Sequence, residues 1–345
     1  MSLNTKLTRL LGIRTPIVAA SMAGASGGAL AAQVTLAGGF GFLAAGYDSP
    51  EKLQSELEIA RSLLNLQPHD LLPVGVGFLA WQLELSGAPA TQLLSVALDN
   101  NVRAIWLAFG KNLKHWVNYI HEHNNKRGNT DPVLIFCPVS SVEQASVAVN
   151  EWRADVIIVQ GIEAGGHGSS QSLPLLTLLP LVTAAIGPHG PPILGAGGLV
   201  NGAHAAALLT LGASGVVLGT RFLLSPESLY TDAQRRALIE ADSSLSVRTM
   251  AFDYARNTLG WPQGVDGRGL RNATVEDYER GEDIQILRSK LKEASLKDDT
   301  SRIVVWAGSS IGLVNKILPA REIVEEIHED CVKYLRASAH LVSSA

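Results

Sequence analysis

Cysteine is nearly absent: Cys137 and Cys331 are the only two in 345 residues, and they stand far apart with no CxxC spacing. That excludes a sequence-evident disulfide framework or cysteine-type zinc site and points to a reducing compartment. Neither sign of charge is in large excess. The formal net charge is −4, so there is no basic footprint for nucleic acid or an anionic membrane surface. No apolar run reaches membrane-spanning length, and the first residues carry no apolar signal core. The cytoplasm is the expected compartment, with an organelle the alternative. No GxGxxG opens an early helix and no P-loop is present, which speaks against a dinucleotide-binding first domain. Low-complexity linkers are missing, as is any internal repeat beyond a strand–helix unit.

What the chain does have is apolar mass: 46 % of its residues are hydrophobic and 17 % charged, the balance of a well-buried globular protein. Strand-like runs alternate with helix-like ones. Seven of them are Pro16–Ala20, Phe40–Ala44, Leu72–Phe78, Arg103–Ala108, Pro132–Phe136, Pro191–Ala196 and Ser214–Gly219. Between them lie helical patterns such as Ala29–Leu36, Ala90–Leu98 and Lys111–Lys126. Leu53, Leu57, Ala60 and Leu64 fall at helical spacing with charges opposite. Ser140 and Glu143 fit the capping-box spacing before another helix. One further run, at Val156, makes eight strands, the count that closes an α/β (β/α)8 TIM barrel. A doubly wound open sheet is the other architecture with this alternation.

After Ser225-Pro226 the alternation stops. Residues 225–305 read as a mostly helical insertion, with helices at Asp232–Ala241 and Val275–Glu293 and a Gly-rich patch at Gly260–Gly269, covering the C-terminal mouth. An amphipathic helix over Leu318–Ala337, with Ile323, Val324, Ile327 and Cys331 inward, then closes the ring. The expected units are therefore 1–224 plus 306–345 as the barrel and 225–305 as the cover.

The chemistry centres on Val156–Ser170, VIIVQGIEAGGHGSS. A β-branched run suited to a strand buried on both faces gives way to a small-residue loop holding His167 among Gly165, Gly166 and Gly168. A tight turn with a solvated histidine is the plain reading. A catalytic histidine on a loop mounted on a rigid strand is the functional one; Glu163 has two equal readings, a carboxylate that orients His167 or one that holds a backbone turn. Gly195-Ala196-Gly197-Gly198 and Gly219-Thr220 follow the seventh and eighth strands, where TIM barrels commonly bind phosphate on bare backbone N–H groups. The small residues Ala20–Gly24 after the first strand leave room for a flat ring beside that phosphate. His121 and His123, two apart on a helix, diverge and cannot chelate one metal; no metal site is expected.

These segments carry a resemblance. PIVAASMAG (16–24), GGFGFLAAG (38–46), GIEAGGHGSS (161–170), ILGAGGL (193–199) and GASGVVLGTRF (212–222) resemble the nitronate monooxygenase family, formerly 2-nitropropane dioxygenase, FMN-dependent TIM-barrel enzymes. The tail WAGSSIGLVNKILPAREI (306–323) is similar to fungal-type members. The resemblance implies FMN as cofactor, with Ser21, Met22 and Ala23 lining the isoalloxazine ring and Gln160, Gly161 and Gly165 running beside it. It implies that Gly197, Gly198, Gly219 and Thr220 hold the phosphate, and that His167 is the catalytic histidine. The reaction implied is oxidation of alkyl nitronates or nitroalkanes by dioxygen to carbonyl compounds and nitrite. Two positions depart from the family pattern: Gly77-Phe78 after strand three and Phe136-Cys137 at the end of strand five. An NAD(P)H-dependent FMN reductase of the enoyl-ACP reductase type shares the EAGGH and phosphate features and is the rival reading. A flavin-binding protein without turnover is the third.

Overall fold

The structure, a computed structural model, describes residues 2–85, 90–128 and 131–341, so the last four residues of the expected 306–345 segment lie outside the described residues. Strands β1 (Ile17–Ala19), β2 (Phe40–Ala44), β3 (Leu72–Leu79), β4 (Val102–Ala108), β5 (Leu134–Val139) and β6 (Val156–Gln160) run in order around a barrel. After β7 (Gly166–Ser169), which stays outside it, β8 (Ile193–Ala196) and β9 (Gly215–Leu218) complete the wall. All barrel pairings are parallel, and β9 closes on β1 through the pairs Ile17–Val216, Val18–Val217 and Ala19–Leu218. The closed ring is the TIM barrel that the eightfold alternation predicts, and it removes the open sheet.

Side chains alternate along each strand, so the wall has two apolar faces. One set, including Val18, Phe40, Phe42, Phe136, Ile158 and Leu194, fills the barrel interior. Phe42 meets Phe136 edge-on at 5.1 Å and Trp106 at 5.3 Å between ring centroids. A Cβ on Gly75 would lie 2.1 Å from the Phe42 ring, so β3 must be bare where that ring crosses it. Burying a ring of this size contributes roughly 1.5–3 kcal/mol. Leu7, from the N-terminal helix Lys6–Leu11, joins the same cluster and plugs one end. The other set, including Ile105, Ile135, Ile157 and Val216, packs outward against the helices.

The helix Ala320–Ala339 buries Ile323, Val324, Ile327 and Cys331 as its pattern predicts. It packs against the helices Gly202–Thr210 and Gly28–Leu36, which is the place of the eighth barrel helix. Several local expectations shift. The helix Val142–Asn150 is capped by Ser141, which accepts from the Gln144 N–H, and not by Ser140 with Glu143. Strand β5 runs three residues past Phe136, so Phe136 and Cys137 are buried in the wall and Pro138 reaches the mouth.

Residues 225–305 hold the helices Asp232–Glu240, Ala251–Arg256, Ala273–Glu279 and Ile284–Leu296. The single helix expected over Val275–Glu293 is broken because Gly281 takes a left-handed φ of +82° and Asp283 caps a new helix. The segment also supplies two strands, β10 (Ser246–Thr249) and β11 (Val265–Leu270), in an antiparallel sheet of order β10-β11-β7. The stretch bearing His167 is therefore a strand, with His167 opposite Gly267 and Ser169 opposite Val265. Arg248 fixes this pairing, donating to the Gly168 carbonyl at 2.7 Å and to Asp266.

Candidate active site

A cavity opens at the C-terminal ends of the barrel strands, where TIM-barrel enzymes place their chemistry. Counted out to its open mouth it spans about 1340 Å³. Ser21, Met22 and Ala23 line it from β1, Gln160, Gly165 and His167 from β6 and β7, and Gly197, Gly198, Gly219 and Thr220 from β8 and β9. Gly161 is not at the cavity: its N–H donates to the Ala196 carbonyl, and a Cβ there would meet Glu163 and Leu175. Gly77 and Phe78, expected after strand three, lie inside β3 at the cavity wall; the Phe78 side chain is buried among the outward-packed residues, and a Cβ on Gly77 would lie 1.9 Å from the Ser21 hydroxyl.

The glycine loops are built for close approach. Gly197 and Gly198 follow one another at φ +116° and +67°, conformations that glycine adopts far more readily than other residues and that bare the backbone toward the cavity. Three loops meet here. Gly308 donates its N–H to the Thr220 hydroxyl at 2.9 Å, and Ser309 donates its N–H to the Glu163 carbonyl at 3.0 Å. A Cβ on Gly165 would lie 2.5 Å from the Gly308 nitrogen, so the EAGGH and WAGSS segments touch backbone to backbone.

Opposite them His167 is held firmly. Its Nε2 lies 2.9 and 3.0 Å from the two carboxylate oxygens of Asp253, on the helix Ala251–Arg256. The His167 side chain is 8 % exposed and that of Asp253 0 %. Asp253 also accepts from the Thr258 hydroxyl at 2.8 Å and from the Trp261 indole N–H at 2.9 Å. The imidazole stacks on Trp261, with centroids 3.5 Å apart and planes 11° apart, and meets Trp306 edge-on at 4.9 Å. A carboxylate can only accept, so Nε2 carries the proton and Nδ1 is left with its lone pair. Burial holds the imidazole below its ordinary pKa, while the hydrogen bond and charge of Asp253 pull it upward. Burial prevails, and the neutral ring is the resting form.

Glu163 is not the orienting carboxylate. Both its oxygens accept the Leu175 N–H, at 2.9 and 3.1 Å, closing the start of the helix Leu175–Ile186. Asp253, Thr258 and Trp261 carried no motif in the sequence; only their membership of the covering segment pointed toward the mouth. Of the covering-segment arginines, Arg268 donates to the Ile162 and Ser246 carbonyls and Arg271 pairs with Glu279, whereas Arg256 lines the cavity. Among the described residues no group of His, Cys, Asp or Glu could hold a metal ion.

A closed barrel with its cavity at the strand ends, glycine loops on one wall and a carboxylate-held histidine on the other defines a TIM-barrel enzyme. The particular family is shown by similarity: the family model described as nitronate monooxygenase matches residues 4–74 and 77–330, and the chain belongs to that family. It is 32 % identical to nitronate monooxygenase npaC of Metarhizium robertsii, over 94 % of this chain and 93 % of that protein. It is 31 % identical to a nitronate monooxygenase of Neurospora crassa, over 93 % and 90 %. Among solved structures, FabK from Thermotoga maritima superposes with a TM-score of 0.78 at 25 % identity, covering 99 % of this chain and 100 % of that one. A nitroalkane oxidase from Streptomyces ansochromogenes gives 0.77 at 27 % identity, covering 97 % and 100 %.

Proposed function

We propose that this enzyme oxidises alkyl nitronates, and nitroalkanes after loss of a proton, with dioxygen as oxidant, giving a carbonyl compound and nitrite. The observation that carries the reading is the His167–Asp253 pair on the wall of a cavity whose other wall is the left-handed Gly197-Gly198 turn. FMN fits the residues present. Gly197, Gly198, Gly219 and Thr220 would hold its phosphate, and Ser21, Met22 and Ala23, with Gln160 and Gly165, would border its ring. Bound there, FMN supplies the electron-accepting chemistry, which no side chain of the site can provide.

The protein's own part is acid–base and positional. His167 Nδ1 takes the α-proton of a neutral nitroalkane, and Asp253 fixes the tautomer that leaves Nδ1 free and stabilises the imidazolium that results. A nitronate has already lost that proton and asks only for placement. Trp261 and Trp306 bracket the imidazole and keep water from it.

The covering units follow the same reading. Residues 225–305 act as the cover of a barrel formed by 1–224 with 306 onward, since β10 and β11 supply the sheet that carries His167.

The electron source separates this reading from that of an NAD(P)H-dependent FMN reductase. The purified protein is expected to be yellow and to release FMN on heating. Under nitrogen, ethyl nitronate should bleach it promptly, and NADPH slowly or not at all. Fast bleaching by NADPH with no response to nitronates would establish the reductase.

A pH profile tests the base. Since burial lowers the His167 pKa, the base is fully available at neutral pH and is lost as pH falls below the ordinary imidazole value of about 6.5. The kcat/KM for a neutral nitroalkane should fall on an acid limb with its midpoint under that value. Native stability should decline over the same range, because the unfolded chain takes up the proton first. An acid limb that persists in His167→Asn would assign it to another group.

A further inference from the structure

Arg256 is the single formally charged side chain at the cavity wall besides the titratable His167, among the described residues. It closes the helix that carries Asp253, three residues away. Its guanidinium sits 5.5 Å from the centre of the Tyr47 ring and also hydrogen-bonds to the Tyr47 hydroxyl, contacts that tether it at the cavity wall without neutralising its charge. No carboxylate of the described residues lies within ion-pair distance of it. The other arginines nearby are committed: Arg248 to Asp266 and the Gly168 carbonyl, Arg268 to the Ile162 and Ser246 carbonyls, Arg221 to the Lys316 carbonyl. Asp253 would be the natural partner, yet its oxygens are taken by His167, Thr258 and Trp261. The Arg256 charge is felt at Tyr47, His167 and Tyr230, three residues that border the same space.

A half-buried guanidinium kept free of carboxylates faces an otherwise uncharged, largely apolar chamber. Its planar fork matches a planar group in which two oxygens share one negative charge. Neutral His167 cannot balance such a charge. We infer that Arg256 is the specificity-determining residue of this site, receiving the two oxygens of a planar monoanion beside His167. Under the proposed function, on which this assignment of substrate rests, those are the oxygens of the nitronate. The neutral nitroalkane carries no net charge for Arg256 to balance, so the residue selects the anion.

Carboxylates share this shape and do not react, so binding is measurable without turnover. Sodium butyrate and its neutral counterpart butyramide would be titrated into the protein as purified, following the fluorescence of the cavity residues Trp106, Trp261 and Trp306. Wild type should bind butyrate more tightly than butyramide. A hydrogen-bonded charge partner contributes roughly ten- to a hundredfold in affinity, so Arg256→Met should weaken butyrate by that factor and leave butyramide unchanged. Arg256→Lys, which keeps the charge and loses the fork, should fall between. Equal affinity of wild type for the two probes, or equal butyrate binding by wild type and Arg256→Lys, overturns the assignment even if Arg256→Met fails to fold. A protein that selects butyrate yet oxidises no nitronate supports Arg256 as the anion receptor while refuting the proposed reaction.

Discussion

Asp253→Asn is expected to lower turnover of a neutral nitroalkane by roughly 10²–10⁴-fold, the usual worth of a positioned general base, while the protein stays folded and keeps its cofactor. Asparagine has the shape of aspartate but must choose which of its ends faces His167. Thr258 and Trp261 both donate to Oδ1, which calls for the amide oxygen there and turns the NH2 toward His167 Nε2. The imidazole must then accept at Nε2 and carry its proton on Nδ1, the nitrogen that should take the substrate proton. The base is thereby removed by a change of tautomer, with no atom of His167 altered. Nitronate turnover needs no proton abstraction and should fall less than the nitroalkane rate.

His167→Asn should cost a similar factor on the nitroalkane. The double variant should cost little more than either single one, because groups that act as a unit lose their effect together. Additive losses in that cycle, or equal losses on nitroalkane and nitronate in Asp253→Asn, would falsify the assignment of Asp253 as the residue that positions the base. Asp253→Ala is the less informative variant: it strands buried donors at roughly 1–3 kcal/mol each and confounds unfolding with chemistry.

The barrel was legible in the sequence because its signal is local. A parallel strand buried on both faces must be a short apolar, β-branched run, and VIIVQ at β6 or GVVL at β9 can hardly be anything else. The glycine loops could be placed for the same reason, since each directly follows such a run. The histidine's partner was not legible. Asp253 sits in a six-residue helix with no motif, 86 residues from His167, and its role is created only by the docking of the covering segment. The strand character of Gly166–Ser169 was hidden as well. GHGS has no strand-like composition, and what makes it a strand is the backbone of β11 laid against it. Glu163 had two readings in the sequence, orienting His167 or holding a backbone turn, and the second holds: the helix start at Leu175 claims both its oxygens.

Gly219→Asp should abolish cofactor retention while leaving the fold intact, and the geometry at this position makes the two outcomes separable. Gly198 would be the poorer choice. It holds a left-handed φ of +67°, and an added Cβ would lie 3.0 Å from Glu163 Cβ, so any side chain there strains the backbone before a ligand is considered. Gly219 has no such constraint. Its φ is −106°, and an added Cβ would find only ordinary contacts, 3.5 Å from the Met22 sulfur and 3.8 Å from Ala20 Cβ. Gly219 precedes the short helix Thr220–Leu223, and an acidic residue at a helix start is favourable in the absence of a bound anion. The variant should therefore fold as stably as wild type stripped of cofactor, measured by thermal unfolding of both. With a phosphate bound, the new carboxylate would face a second anion at close range. At about 4 Å and an effective dielectric near 20, one pair of like charges costs roughly 4 kcal/mol, about a thousandfold in affinity. The protein should purify colourless, and added FMN should restore little absorbance at concentrations that saturate wild type. Gly219→Ala, carrying the Cβ alone, should retain most of its cofactor. A yellow Gly219→Asp with wild-type FMN content would move the phosphate away from the β8 and β9 loops.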